Sequence, residues 1–152
     1  MSSETTHEVF TMLYPLYKEE VYRRREQMMK LTAWGATGLV AMLFASVLSP
    51  YPARFVGGGQ WLIGATALVW GSLFCWLVLQ HQYRHRLAKQ MLIQLERTLG
   101  LYEQGLLIEN QAIYPDEWQT AWLRDRSGFL YILFLAMLTA LTIAVSFIAQ
   151  AA

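Results

Sequence analysis

Residues 17–48 read YKEEVYRRREQMMKLTAWGATGLVAMLFASVL. Eight of the fourteen positions 17–30 are charged, and none of positions 31–48 is. A triple arginine at such a boundary suits a nucleic-acid site, the rim of a partner-binding helix, or the anchor of a membrane span. The rest of the chain decides among the three.

The 152 residues are 55% hydrophobic and only 15% charged, with twelve Lys and Arg against eleven Asp and Glu. Soluble domains hold about a quarter charged residues, and nucleic-acid-binding domains collect basic residues to a pI above about 9. Here the pI is about 7.9 and the mean hydropathy +0.28. No nucleic-acid partner is expected. One cysteine, Cys75, excludes an intrachain disulfide and a cysteine zinc cluster.

The apolar residues fall into three blocks, Leu31 to Ser49, Trp61 to Leu79 and Gly128 to Ile148, of 19 to 21 residues, each without Asp, Glu, Lys, Arg or His. A helix rises about 1.5 Å per residue, so each block matches a hydrocarbon layer of about 30 Å. Three transmembrane helices follow. Buried helices of a soluble protein do not, because too few residues remain to cover three such rods.

Five Lys and Arg precede the first block (Lys18, Arg23, Arg24, Arg25, Lys30), one lies in the first loop (Arg54), six lie between the second and third blocks, and none follows the third. Positive charge stays in the cytoplasm, which predicts a cytoplasmic amino terminus and segment 80–127, with the Arg54 loop and the carboxyl end outside. Arg23, Arg24, Arg25 and Lys30 then act as topology and lipid anchors, with anionic head groups contributing about 1 kcal/mol per basic residue. No secretory signal is expected, since the first 30 residues are long, polar and partly acidic. Trp34, Tyr51, Trp61, Trp76, Tyr83 and Tyr131 stand near the block ends, where an amphipathic ring meets both lipid and water. The loop SPYPARFVGGGQ is short and rich in Pro and Gly, so the first two spans form a tight hairpin.

Helical periodicity extends beyond the blocks. Ala88, Leu92, Leu95, Leu99 and Tyr102 alternate at spacings of four and three, the seam of a helix packed on another. A second seam runs through Tyr14, Tyr17, Val21, Met28 and Leu31, interrupted by Arg24. Pro15 implies either a helix starting there or a kink in one begun at TTHE. After Gly100 and Gly105 the pattern changes. LLIENQAIY predicts a short hairpin or irregular loop rather than helix, and PDEWQTAWLRDR a short interfacial helix with Trp118 and Trp122 four apart. Tyr114, Asp116, Glu117, Trp118 and Trp122 form the candidate partner surface.

The fold class is therefore an all-α integral membrane protein. It comprises a basic amphipathic helix (1–30), a transmembrane hairpin (31–80), a cytoplasmic helix (81–105), a cytoplasmic loop with an interfacial helix (106–127) and a third transmembrane helix (128–149).

Catalytic motifs are missing from the sequence: it holds no Gly-rich phosphate loop, H-E-x-x-H or G-x-S-x-G. HQYRH places His81 and His85 one turn apart, but a metal needs further ligands, and His7 is distant in sequence. No enzyme activity, cofactor, metal or small-molecule substrate is expected. Small residues recur four apart at Ala136, Ala140 and Ala144 in the third block, at Ala67 and Gly71 in the second and at Ala41 and Ala45 in the first, as in helices that approach closely. Thr139, Thr142 and Ser146 are suited to interhelical hydrogen bonds or to a narrow polar path. No charge lies in any block, which disfavours a proton relay or coupled transporter.

The basic helix YKEEVYRRREQ, the two-span hairpin and the long helix HQYRHRLAKQMLIQLERTLG together resemble the small bacterial SLATT-type membrane effectors over about residues 10–105. The third span and IYPDEW lie outside that layout. The resemblance implies a bacterial inner-membrane protein that oligomerises into a membrane-perturbing pore under control of a cytoplasmic partner in a defence or signalling system. The alternative expectation is a non-catalytic accessory or anchoring subunit of a larger membrane complex. The expected partners are the lipid bilayer and either further copies of the chain or other membrane subunits.

Overall fold

The computed structural model describes residues 3–48, 59–105, 109, 111–120 and 125–148. Three helices account for most of them: α1 (Ser3–Leu48), α2 (Gly59–Thr98) and α3 (Ser127–Ile148), with a five-residue 3-10 helix at Asp116–Thr120. All three long helices are long and apolar enough to cross a membrane. The loop expected to close the α1–α2 hairpin, with Tyr51 and Arg54, lies outside the described residues. Pro15 is exposed inside α1, which begins twelve residues before it rather than at it.

The chain divides into two compact units, Met1–Glu26 with His81–Arg126, and Gln27–Gln80 with Ser127–Ala152. Helices α1 and α2 each supply residues to both.

The second unit is apolar on its outside as well as its inside. Its core is Leu39, Ala67, Val78 and Leu135, ringed by half-buried Trp70, Phe74, Cys75 and Leu138. Phe44, Leu62, Val69, Leu73, Phe129, Phe134, Met137 and Leu141 are exposed, as are Trp34, Trp61 and Trp76. Water disfavours such a surface and hydrocarbon does not, so long as backbone groups are satisfied within helices.

Glycine sets how closely these helices approach. The Trp70 indole N–H donates to the Gly35 carbonyl at 3.2 Å, and its ring lies where a Cβ on Gly38 would stand, 2.5 Å from Nε1. A Cβ on Gly71 would collide with Thr139 Oγ1. Ala67 and Gly71 thus line the α2 face inside the unit, with Gly71 against Thr139 of α3.

The inward face of α3 is Leu135, Thr139, Thr142 and Ser146. Ala136, Ala140 and Ala144, the strip proposed from sequence for helix packing, are exposed instead, as are Ala41 and Ala45 of α1. Each inward hydroxyl is bonded to backbone of its own helix: Thr139 Oγ1 donates to Leu135 O (2.7 Å), Thr142 Oγ1 to Leu138 O (2.8 Å) and Ser146 Oγ to Ile143 O (2.7 Å). Thr142 Oγ1 also lies 3.5 Å from Leu39 O of α1. Buried and bonded to backbone carbonyls, these hydroxyls line no polar path in the single chain.

In the first unit Ala88, Leu92, Ile93, Leu95 and Tyr102 are buried, and Tyr14, Tyr17 and Val21 of α1 are half-buried. Apart from Ile93 these belong to the two seams read from spacing; Leu99 of the first is half-buried, and Met28 and Leu31 of the second belong to the other unit. Arg24, which interrupts the second, is half-buried and neutralised by Glu20 one turn back, at 2.6 Å.

The Gly71–Thr139 contact is directly testable. Gly71→Ala destabilises the helical unit by about 1–3 kcal/mol through overpacking, measured by thermal unfolding in detergent. Adding Thr139→Ala removes the two nearest atoms and restores part of that loss.

Candidate functional site

The buried ionisable side chains Glu96 and His85 lie in the first unit, where a helix end builds the site. At the end of α2, Gly100 adopts φ 70°. Gly100 N–H donates to Arg97 O and Leu101 N–H to Glu96 O, both at 3.0 Å. This pair of bonds around a left-handed glycine is a Schellman cap, which satisfies the last carbonyls and turns the chain back along its helix. The consequence is chemical: Tyr102, the second residue past the glycine, returns its hydroxyl to the Glu96 carboxylate at 2.5 Å.

The returning strand is then fixed. Tyr114 N–H donates to Leu101 O at 3.1 Å, and Gly105 N–H, on a second left-handed glycine, approaches Gln111 O at 3.4 Å. The expectation of irregular structure after Gly105 fits residues 109 and 111–115, which are turns and bends with an isolated bridge; 106–108 and 110 lie outside the described residues. Of the expected interfacial helix, Asp116–Thr120 is a single 3-10 turn. Positions 121–124, and with them Trp122, lie outside the described residues.

Tyrosines converge around Glu96. The Tyr14 and Tyr114 hydroxyls lie 2.9 Å apart, the Tyr102 and Tyr114 ring centroids 6.0 Å apart, and Trp118 stacks on Tyr114 at 5.2 Å. Tyr102 is pushed above its ordinary range by burial first, and then by its hydrogen bond to Glu96 and the charge of that carboxylate. Tyr14 is raised too, by burial and by its bond to Tyr114. Both phenols are therefore neutral at physiological pH, and Tyr102 donates to Glu96. A cavity of about 200 Å³ opens here, lined by Lys89, Leu92, Ile93, Glu96, Tyr102 and Trp118.

Of the candidate partner surface, Tyr114 is half-buried, and Asp116, Glu117 and Trp118 are exposed. Gln119 bridges the 3-10 turn to α2, donating to Asp116 Oδ1 at 3.1 Å and accepting from Arg97 Nη2 at 2.5 Å.

A second polar cluster joins α2 to the residues before α3. Asp125 Oδ2 accepts from Lys89 Nζ at 2.9 Å and lies 3.3 Å from His85 Nε2, and Arg86 Nη2 reaches the Asp125 carbonyl at 3.4 Å. His85 is 3% exposed. Its Nδ1 and that of His81 are buried without a hydrogen-bond partner. Burial lowers the His85 pKa below 6.5, opposed by the Asp125 charge and hydrogen bond and assisted by Lys89. His81 is lowered by burial and by Arg24 and Arg84. Both imidazoles are neutral at pH 7. Among the described residues no group of three or more His, Cys, Asp or Glu is placed to hold a metal.

Of the cations expected to act as anchors, Arg23 and Arg24 pair with Glu19 and Glu20 one turn back, at 2.9 and 2.6 Å, and Arg25 and Lys30 are exposed residues of α1. Exposed pairs of this spacing add about 0.3–0.5 kcal/mol of helix stability.

Sequence reading singled out neither Glu96, Lys89 nor Asp125. Glu96 adjoins the seam residue Leu95, and its signal was Gly100, a helix-ending glycine, with Tyr102 two residues on; Asp125 is forty residues from His85 and gave none.

No family model, curated protein or solved structure matches the chain.

The histidines predict a pH dependence. A folded-state pKa below the unfolded value means the unfolded chain binds more protons, so the stability is fully present above pH ~6.5 and is lost as pH falls through the folded value. Thermal unfolding followed from pH ~7.5 down to ~5.5 shows a falling midpoint, less steep in His85→Gln. Asp125→Asn lowers the His85 pKa further, read from the imidazole resonances.

Proposed function

We propose that the chain is a non-catalytic accessory subunit of a bacterial inner-membrane complex, inserted with its amino terminus and residues 81–126 in the cytoplasm. The first unit is then its docking module, and α1, α2 and α3 supply the anchor. The observation that carries this reading is Trp118: it is 52% exposed, stacked on Tyr114 and flanked by the exposed carboxylates of Asp116 and Glu117. An aromatic side chain already ordered in the free chain loses little freedom on binding, and such residues dominate the energetics of interfaces. The positive-inside distribution of Lys and Arg supports the orientation.

A second reading, a homo-oligomeric membrane-perturbing effector, is favoured by one feature, the exposed strip Ala136, Ala140 and Ala144 on α3. Such a strip permits close approach of a second helix in lipid. The inward-turned hydroxyls count against a pore lined by Thr139, Thr142 and Ser146.

Native mass spectrometry of the chain, extracted in mild detergent from its host's membranes, separates the two. The subunit reading predicts a different polypeptide at fixed ratio, lost in Trp118→Ala but retained in Ala140→Leu. A cluster of this chain alone, dispersed by Ala140→Leu and indifferent to Trp118→Ala, contradicts it.

A further inference from the structure

The cavity of the first unit contains an anion with no cation to match it. Glu96 is 8% exposed, and among the described residues it forms no ion pair. Tyr102 donates a hydrogen bond to it, and the neutral Tyr102 and Tyr14 phenols do not cancel its charge. Lys89, the other charged residue of the lining, is already matched by Asp125 at 2.9 Å. Buried carboxylates are ordinarily paired, because desolvation of an unmatched charge is costly.

The walls specify what kind of cation fits. Two rings line the cavity, Tyr102 and Trp118, and Tyr114 backs Trp118 at 5.2 Å. The faces of such rings attract positive charge, most strongly for indole. The remaining wall is aliphatic, Leu92 and Ile93. A hard metal ion needs six or more oxygen ligands, which this lining does not supply. An alkylated ammonium needs one counter-charge, ring faces and apolar surface for its carbons. At about 200 Å³ the cavity is below the roughly 300–1,000 Å³ of pockets that take drug-sized molecules, and suits a head group of a few heavy atoms.

We propose that this cavity binds a small alkylated ammonium cation, with Glu96 as its counter-charge and the Tyr102 and Trp118 rings as its walls. The site rests on the cavity alone and holds whether the chain works as a subunit or as a homo-oligomer. The ammonium is carried either by a free solute or by a phospholipid head group, and the two are separable.

The full chain, purified in a maltoside detergent, is titrated by calorimetry with choline and with its uncharged isostere, in which a tert-butyl group replaces trimethylammonium. Choline binds saturably and the isostere does not. Glu96→Gln and Trp118→Leu each weaken choline binding about tenfold or more. Trp118 is exposed, so its replacement leaves the helices intact and keeps the test decisive if Glu96→Gln misfolds. Equal binding of the isostere, no binding of choline, or unchanged binding in a folded Trp118→Leu overturns the proposal. Repeating the titration in nanodiscs of phosphatidylglycerol, with and without phosphatidylcholine, assigns the source. Choline binding blocked by phosphatidylcholine identifies the lipid head group, and binding that persists identifies a free solute; either result upholds the cation site.

Discussion

Three charge-free runs of 19 to 21 residues constrain everything else in this chain. A run of that length and composition has one low-energy form in hydrocarbon, the helix, because only there does every backbone N–H and C=O find a partner without water. Ionisable groups are thereby confined to the segments between and before the runs. Two of those segments, 3–26 and 81–126, form one compact unit with its own buried polar network. The division of labour in the molecule follows from this partition rather than from any motif.

Within the apolar unit, specificity comes from small and polar residues. Leucines and phenylalanines are spread over outward faces, which a bilayer would accommodate as well as a neighbouring helix does. What distinguishes the inner faces is space at Gly35, Gly38 and Gly71, filled by Trp70, Phe74 and Thr139, together with hydroxyls turned onto their own backbone. In the polar unit the organising device is different. A single left-handed glycine reverses the chain at the end of α2, and that reversal brings Tyr102 to Glu96 and Tyr114 to Leu101. An acidic residue on a helix thus becomes the floor of an aromatic cavity.

Hydropathy and spacing carried the long helices and both seams, since burial of Ala88, Leu92 and Leu95 is a periodic property of one element. The choice of face in α3 was not legible. Small residues four apart (Ala136, Ala140, Ala144) and hydroxyl-bearing residues (Thr139, Thr142, Ser146) offer rival faces, and the hydroxyls took the interior. The polar site was legible only in fragments. His81 and His85 were visible as a local pair, but Asp125 and Lys89 reach the cluster by tertiary folding. Glu96 meets Tyr102 across a turn whose geometry depends on Gly100. Sequence spacing reports what one element can present, and it is silent on partners brought from forty residues away.

The account depends most directly on the sidedness of the polar unit. With Cys75 replaced by serine, single cysteines are introduced at Gln111 and at Gly57, and intact cells are treated with a membrane-impermeant thiol reagent before and after permeabilisation. The account predicts labelling at position 57 in intact cells and at position 111 only after permeabilisation. Labelling of position 111 in intact cells, or of both positions from one side, contradicts it.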